Sequence, residues 1–187
     1  MTTLFIKNMV CNRCIMVVQN ELEKLNIHPK AVTLGEVELA EPLTTNQKDA
    51  VNGALEAMGF ELIDNKKSRI IEQIKNIIIK IVHHQDGELK ENLSDILSKS
   101  LHQDYHYLSN LFSEVEGITI EKYYIAQKIE KVKELLVYDE LSLSEIAYRL
   151  NYSSVAYLSS QFKKVTGLTP SYFKQVKANK RKPLDEV

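Results

Sequence analysis

Slid by fifty residues, the chain falls on itself: YLSNLFSEVEG from Tyr107 lies over YLSSQFKKVTG from Tyr157. LSDI (Leu93–Ile96) lies over LSEI (Leu143–Ile146), and GIT (Gly117–Thr119) over GLT (Gly167–Thr169). A period of this length suits a propeller blade or a solenoid unit, but two copies build neither. The repeated unit must therefore be a small motif in its own right. Each copy reads as a short helix, a break, a second helix and a Gly stop. In the second copy Ser142 and Glu145 form a capping box for LSEIAYRL, and NYSS interrupts. A new helix is expected from about Ser154 to Thr166. Gly167 supplies the left-handed stop, and Thr169-Pro170 opens the next helix. Asp104 holds in the first copy the capping register of Ser154. Two short helices joined by a tight turn are a helix-turn-helix element, whose second helix enters a DNA major groove.

Helical spacing then sorts the side chains. Leu158, Phe162 and Val165 share one face and are expected to be buried, as are Leu108, Phe112 and Val115 in the first copy. The outward set is Ser153, Ala156, Tyr157, Ser160, Lys163 and Lys164 in the second copy. In the first it is Gln103, His106, Asn110, Ser113 and Glu114. Gln and Asn can read adenine edges, Ser and Ala suit a polar edge or a thymine methyl, and Lys suits phosphate. For an isolated helix, a merely solvated face is the ordinary reading. Preserved inner residues beside divergent outer ones instead suggest one scaffold used twice for different local readouts. Between the copies, TIEKYYIAQKIEKVKELLVY gives about nineteen helical residues, roughly 28 Å at 1.5 Å per residue. Successive major grooves on one face of DNA are about 34 Å apart, so this spacer suits two reading helices in neighbouring grooves.

The 187 residues allow one or two domains with a real core. No apolar run approaches a membrane span, and MTTLFIKNMV lacks the pattern of a secretory signal, so a cytoplasmic protein without a membrane partner is expected. The net charge of −1 is unevenly spread. Residues 117–182 hold 12 Lys and Arg against 6 Asp and Glu, whereas 68–116 hold 5 against 8 and 1–67 hold 7 against 9. The positive surplus lies with the second repeat, as a polyanionic partner requires. The tail KQVKANKRK (Lys174–Lys182) could add phosphate contacts, although a charged end is more often only solvated.

The polar run DNKKS (Asp64–Ser68) marks a linker and divides the chain into residues 1–67 and 68–187. After it, SRIIEQIKNIIIKIVHH has helical spacing, with Ser68 as cap and Asp86-Gly87 as stop. Before it, TLFIKNM alternates like a strand, CIMVVQNELEKL is helical, and AVTLGEVELA is strand-like with a turn at Gly35-Glu36. TNQKDAVNGALEAMG is helical and FELID closes as a strand. The fold class expected is α+β: a ferredoxin-like βαββαβ domain followed by an all-α domain with two helix-turn-helix units.

Two cysteines three apart, Cys11 and Cys14 in NMVCNRC, fall where the first strand gives way to the first helix. The helix end and Arg13 favour thiolates, and soft thiolates at this spacing suit Cu(I) or another soft ion. A thiol redox switch, or a relic fold serving as a partner module, remains open; Asn12-Arg13 between the cysteines argues against a thioredoxin-like site. Met9 is read as a packing residue. His83, His84, His102 and His106 are read as structural or exposed, since adjacent helical histidines point about 100° apart. The nine tyrosines are read mostly as packing. No paired carboxylates, Ser-His arrangement or Gly-rich phosphate loop stands in the sequence, so no enzyme is expected.

The stretch KIEKVKELLVYDELSLSEIAYRLNYSSVAYLSSQFKKVTGLTPSYF resembles the signature region of AraC/XylS-type transcription regulators, and the resemblance extends over residues 68–177. It implies a seven-helix DNA-binding domain with two helix-turn-helix units and double-stranded DNA as partner. Asn151 stands where that family usually has Gly, and FSEVEG stands where a basic run is common, so Glu114 and Glu116 would weaken the grip of the first unit. NMVCNRC resembles the M-x-C-x-x-C loop of heavy-metal-associated domains, and MGFELID their final helix-to-strand join, over residues 2–65. Asn8 and Val10 replace that family's usual Gly and Thr or His. The two resemblances together imply a metal-responsive regulator. A redox-sensing regulator is an alternative, as is a metal-trafficking protein whose helices mediate protein contacts. A metal donor protein and a homodimer are further open partners.

Overall fold

A computed structural model describes residues 2–63, 66–84 and 91–176. Cα proximity divides the chain into two compact units, Met1–Asn76 and Ile77–Val187. The division falls between Asn76 and Ile77, whereas the polar run in the sequence suggested 67/68.

In the first unit the order is β1 (Thr2–Lys7), α1 (Asn12–Lys24), β2 (Ala31–Thr33), β3 (Glu36–Leu39), α2 (Thr45–Glu56) and β4 (Glu61–Leu62). The strands form an antiparallel sheet in the order β2-β3-β1-β4, with Thr2 opposite Leu39 and Ile6 opposite Leu62. Alternation along β1 turns Ile6 to the helices, where it joins Val18 and Leu22 of α1, Val37 and Leu39 of β3, and Val51 and Leu55 of α2 in one buried cluster. Thr44 and Gln47 close a capping box on α2. The short hairpin turns at Leu34-Gly35, and Glu36 already belongs to β3. Gly35 has φ +81, and a Cβ there would meet the Asn76 side chain; Asn76 Nδ2 donates to the Leu34 carbonyl at 3.2 Å.

Helix α3 (Lys66–Ile79) carries Asn76 and starts before the expected cap. Ser68 is not its N-cap, because Lys66 and Lys67 are good helix formers and continue the helix upstream. Arg69 donates to the Ile63 carbonyl at 3.2 Å and lies over the Phe5 ring, and Gln73 donates to Glu36 at 2.7 Å. A π-helical turn, Lys80–His84, follows. The expected stop at Asp86-Gly87 lies outside the described residues.

The second unit continues with α4 (Leu93–Leu101), α5 (Tyr105–Glu116), α6 (Ile120–Tyr138), α7 (Leu143–Arg149), α8 (Val155–Thr166) and α9 (Pro170–Val176). The caps stand where the repeat places them. Asp104 accepts from the His106 and Tyr107 N–H groups, Ser154 from Tyr157, and Gly117 and Gly167 both end their helices left-handed. Ser142 and Glu145 form the capping box of α7. Asn151 takes φ +54, which Asn tolerates. The spacer α6 has nineteen residues. Its Ile129, Val132, Leu135 and Leu136 pack with Ile146, Leu150, Leu158, Phe162 and Phe173.

Two expectations about packing fail. Leu108, Phe112, Leu158 and Phe162 are fully buried, but Val115 and Val165 are 50% and 48% exposed. Val165 lies at the rim of an inner stripe that continues instead through Thr166, whose hydroxyl donates to the Phe162 carbonyl at 2.8 Å. Tyrosine is also less internal than expected: Tyr123 and Tyr152 are buried, whereas Tyr107, Tyr138, Tyr148, Tyr157 and Tyr172 are exposed. A phenol hydroxyl lets the ring sit half in water at little cost.

Candidate nucleic-acid interface and thiol loop

The helices expected to read DNA are α5 and α8. Gln103, His106, Asn110 and Glu114 are exposed on the first copy and Ser113 is half-buried. Ser153, Ala156, Tyr157, Ser160, Lys163 and Lys164 are exposed on the second. In each copy the buried phenylalanine of the reading helix meets an aromatic ring from the next helix: Phe112 lies 5.6 Å from Tyr123, and Phe162 lies 5.5 Å from Phe173. Tyr123 and Phe173 are themselves fifty residues apart, so the structural unit runs beyond GIT and GLT into a third helix. That equivalence escaped the sequence comparison because Tyr and Phe are not identical letters. A second missed signal is Tyr107, 44% exposed, the counterpart of the outward Tyr157, which is 54% exposed. Both copies retain this tyrosine, and in the second its ring lies 6.0 Å from that of Tyr152.

The turns into the reading helices differ. Only His102, Gln103 and Asp104 separate α4 from α5, with His102 left-handed at φ +50. The second turn runs from Leu150 to Ser154 and buries Tyr152. The Lys128 ammonium sits over the Tyr152 ring at 3.8 Å and within 5.4 Å of the Tyr124 ring. Burial brings the Lys128 pKa down to about 8, an effect that contact with the ring faces opposes. Beneath the first copy, His83 Nε2 donates to Gln127 Oε1 at 3.0 Å, and Gln127 Nε2 donates to the Tyr123 hydroxyl at 3.1 Å. Burial lowers the His83 pKa to about 4. His102 and His106 are exposed. The expected basic tail lies, from residue 177 onward, outside the described residues.

The thiols lie at the start of α1. Cys11 is the N-cap residue and Cys14 lies in the first turn, with their sulfurs 3.6 Å apart and not bonded. Burial raises the Cys11 pKa, but the Cys14 N–H, the Cys14 thiol, and the Arg13 N–H and guanidinium outweigh it, leaving this thiol below its ordinary range. Burial dominates at Cys14 and pushes its thiol up. Asn8 at φ +70 supplies the left-handed bend before the loop, and its Nδ2 donates to the Gly59 carbonyl at 3.0 Å. Met9 is fully buried in the core of the first unit, as a packing residue should be. Two soft sulfurs at this separation can both lie within a thiolate–metal bond length of about 2.3 Å, so the donor set fits a soft ion. No third His, Cys, Asp or Glu joins them among the described residues. Among those residues also, no helix is long and apolar enough to cross a membrane.

Residues 97–175 match the family model described as a helix-turn-helix domain. The HTH-type transcriptional regulator YtdP of Bacillus subtilis is 31% identical over 120 residues, which is 62% of this chain and 15% of YtdP. The TetD protein of transposon Tn10 from Escherichia coli is 29% identical over 104 residues, covering 56% of this chain and 73% of TetD. This chain thus spans a small part of the first relative and most of the second. Among solved structures, the C-terminal domain of AraT, a response regulator from Geobacillus stearothermophilus, superposes with a TM-score of 0.51 at 27% identity. That match covers 60% of this chain and 88% of the AraT domain. Residues 97–175 thus form a helix-turn-helix domain, similar in fold to the AraT domain.

Proposed function

We propose that this chain is a sequence-specific DNA-binding transcription regulator that responds to a soft metal ion. The α5 and α8 faces read a two-groove site, and Cys11 and Cys14 hold the ion, with Cu(I) the expected one. The observation that carries the DNA-binding reading is the duplicated, capped helix-turn-helix whose two reading helices expose their outer faces. Lys163 and Lys164 suit phosphate, and the outer residues of α5 and α8 suit base edges. The metal reading rests on the thiol pair and on the sheet. Its βαββαβ order is that of a ferredoxin-like split βαβ, the fold that the resemblance to heavy-metal-associated domains implies. A bound soft ion would supply a fixed positive charge between two thiolates at the head of α1. Arg13 favours the thiolate at Cys11, and Asn8 holds the bend of the loop.

The test uses the full chain. Random double-stranded DNA is selected for binding, and affinity for the winning duplex is measured against salt. The regulator reading expects a steep log–log dependence, with the slope reduced by about 1.8 when Lys163 and Lys164 are both changed to Ala. Absence of salt-dependent binding overturns it in favour of a trafficking protein. Affinity is then compared with and without Cu(I), and in the Cys11→Ser/Cys14→Ser double variant. Equal values in all three ends the metal response and leaves DNA binding standing. A shift on oxidation but not on Cu(I) addition makes the thiol pair a redox switch.

A further inference from the structure

The first reading helix carries a side-chain pair that the second lacks. Asn110 Nδ2 donates to His106 Nε2 at 3.1 Å, one helical turn apart on the exposed face of α5. Fifty residues on, Ala156 and Ser160 stand in their places and can form no such pair. An amide nitrogen has hydrogens to give and accepts none. The imidazole therefore accepts through Nε2 and carries its proton on Nδ1. One Asn110 N–H is thereby used, leaving the other N–H and Oδ1: one donor and one acceptor.

That remainder has a partner among the bases. In the major groove adenine offers the N7 acceptor and the N6 amino donor, whereas guanine offers two acceptors, N7 and O6. Asn110 as held matches adenine. A flipped amide would turn both N–H groups to guanine, but would require the imidazole proton to move from Nδ1 to Nε2, where it would donate to Oδ1. We propose that His106 is a positioning residue that fixes the Asn110 amide, so that α5 selects adenine over guanine at one base pair. This deepens the DNA-binding reading and rests on it. It also gives the first copy a means of specificity that needs no phosphate contact beside Glu114 and Glu116.

The experiment selects random double-stranded DNA with the full-length protein and with Asn110→Ala; the base pair whose preference disappears in the variant is the one Asn110 reads. Duplexes with adenine or guanine at that position are then compared. The wild type should prefer adenine about tenfold, and His106→Leu should reduce the preference to less than about threefold. His106→Gln, whose Oε1 accepts from Asn110 Nδ2, should restore it, a rescue that a merely structural role would not produce. Circular dichroism checks that both variants keep their helices, as the exposed position leads one to expect. A guanine preference in the wild type, or an adenine preference that survives His106→Leu, overturns the inference. If Asn110→Ala erases no preference while binding that depends on Lys163 and Lys164 persists, the inference fails and the regulator reading stands. Loss of all salt-dependent binding by the wild type removes both.

Discussion

The two helix-turn-helix copies share a skeleton and differ in almost everything laid over it. Both place a capping residue before the reading helix, a left-handed Gly after it, and a buried Leu and Phe within it. Both cover that Phe with an aromatic ring from the following helix. Over this common frame the first copy presents His106, Asn110 and Glu114, and the second Ala156, Ser160 and Lys163. Inside, the first copy ties its covering Tyr123 through Gln127 to His83, whereas the second covers with Phe173, which has no polar handle. The inner frame is set by packing, which penalises any change of volume. The outer face is free to diverge, and the polar tether of the first copy makes one of two similar cores sensitive to protons.

The severest way to probe the likeness is to remove the shared Phe. Phe112→Ala and Phe162→Ala should each cost about 3–5 kcal/mol, the usual range for a buried ring replaced by a methyl group. Native-state hydrogen exchange of the full chain should show Phe112→Ala losing protection first in α4 and α5. Phe162→Ala should lose it first in α7 to α9. If either variant loosens both sets equally, the copies are one cooperative core and their comparison as separate units fails.

What the sequence made legible was local. Asp104, Ser142, Ser154 and the two glycines act within one turn of their own backbone, so type and spacing were enough to place them. The same holds for Cys11 and Cys14 at the strand-to-helix join. A helical wheel, however, gives the direction of a side chain and not the extent of the surface opposite. It turned Val115 and Val165 inward, although both lie at the rim of the covered stripe. The turns into the reading helices also slip relative to the fifty-residue register. The left-handed residue is His102 in one copy and Asn151 in the other, and a shift within a constant total length leaves no mark in an alignment by offset. The pairing of His83 with Gln127 spans 44 residues of chain, and no local pattern announces it. The start of α3 was missed because a polar run was read as a break, although lysines extend a helix readily.

Acid should separate the copies. The His83 pKa falls from 6.5 to about 4 on folding because burial disfavours the charged ring. The unfolded chain therefore binds the extra proton first. The stability from neutral His83 is complete above pH 6.5 and is lost as pH falls through about 4, a total of about 3 kcal/mol. Urea denaturation of the wild type and His83→Gln between pH 7 and pH 4 isolates this contribution, since the carboxylates titrate in both. The wild type should lose more stability than the variant, with hydrogen exchange rising around Tyr123 before Phe173. Parallel losses in the two proteins would mean that the tether to His83 does not distinguish the copies.

The smallest effect comes from the caps, and it distinguishes what folding wants from what DNA binding wants. Asp104 accepts two N–H groups, from His106 at 2.8 Å and Tyr107 at 3.3 Å, whereas Ser154 accepts one, from Tyr157 at 3.1 Å. A carboxylate also complements the positive end of its helix, an advantage of about 0.3–1 kcal/mol over a neutral cap. Folding alone would favour Asp in both copies. Close to a phosphate backbone the same charge is repulsive, and the copy whose second helix exposes lysines is the one that caps with Ser. Asp104→Ser should thus lower stability slightly and raise DNA affinity, whereas Ser154→Asp should hold or raise stability and weaken binding, each by no more than about 1 kcal/mol. Thermal melts and duplex titrations of the two variants read the two quantities separately. Stability and affinity moving in the same direction in both variants would show that the caps serve their helices alone, and that the choice of Ser in the second copy owes nothing to DNA.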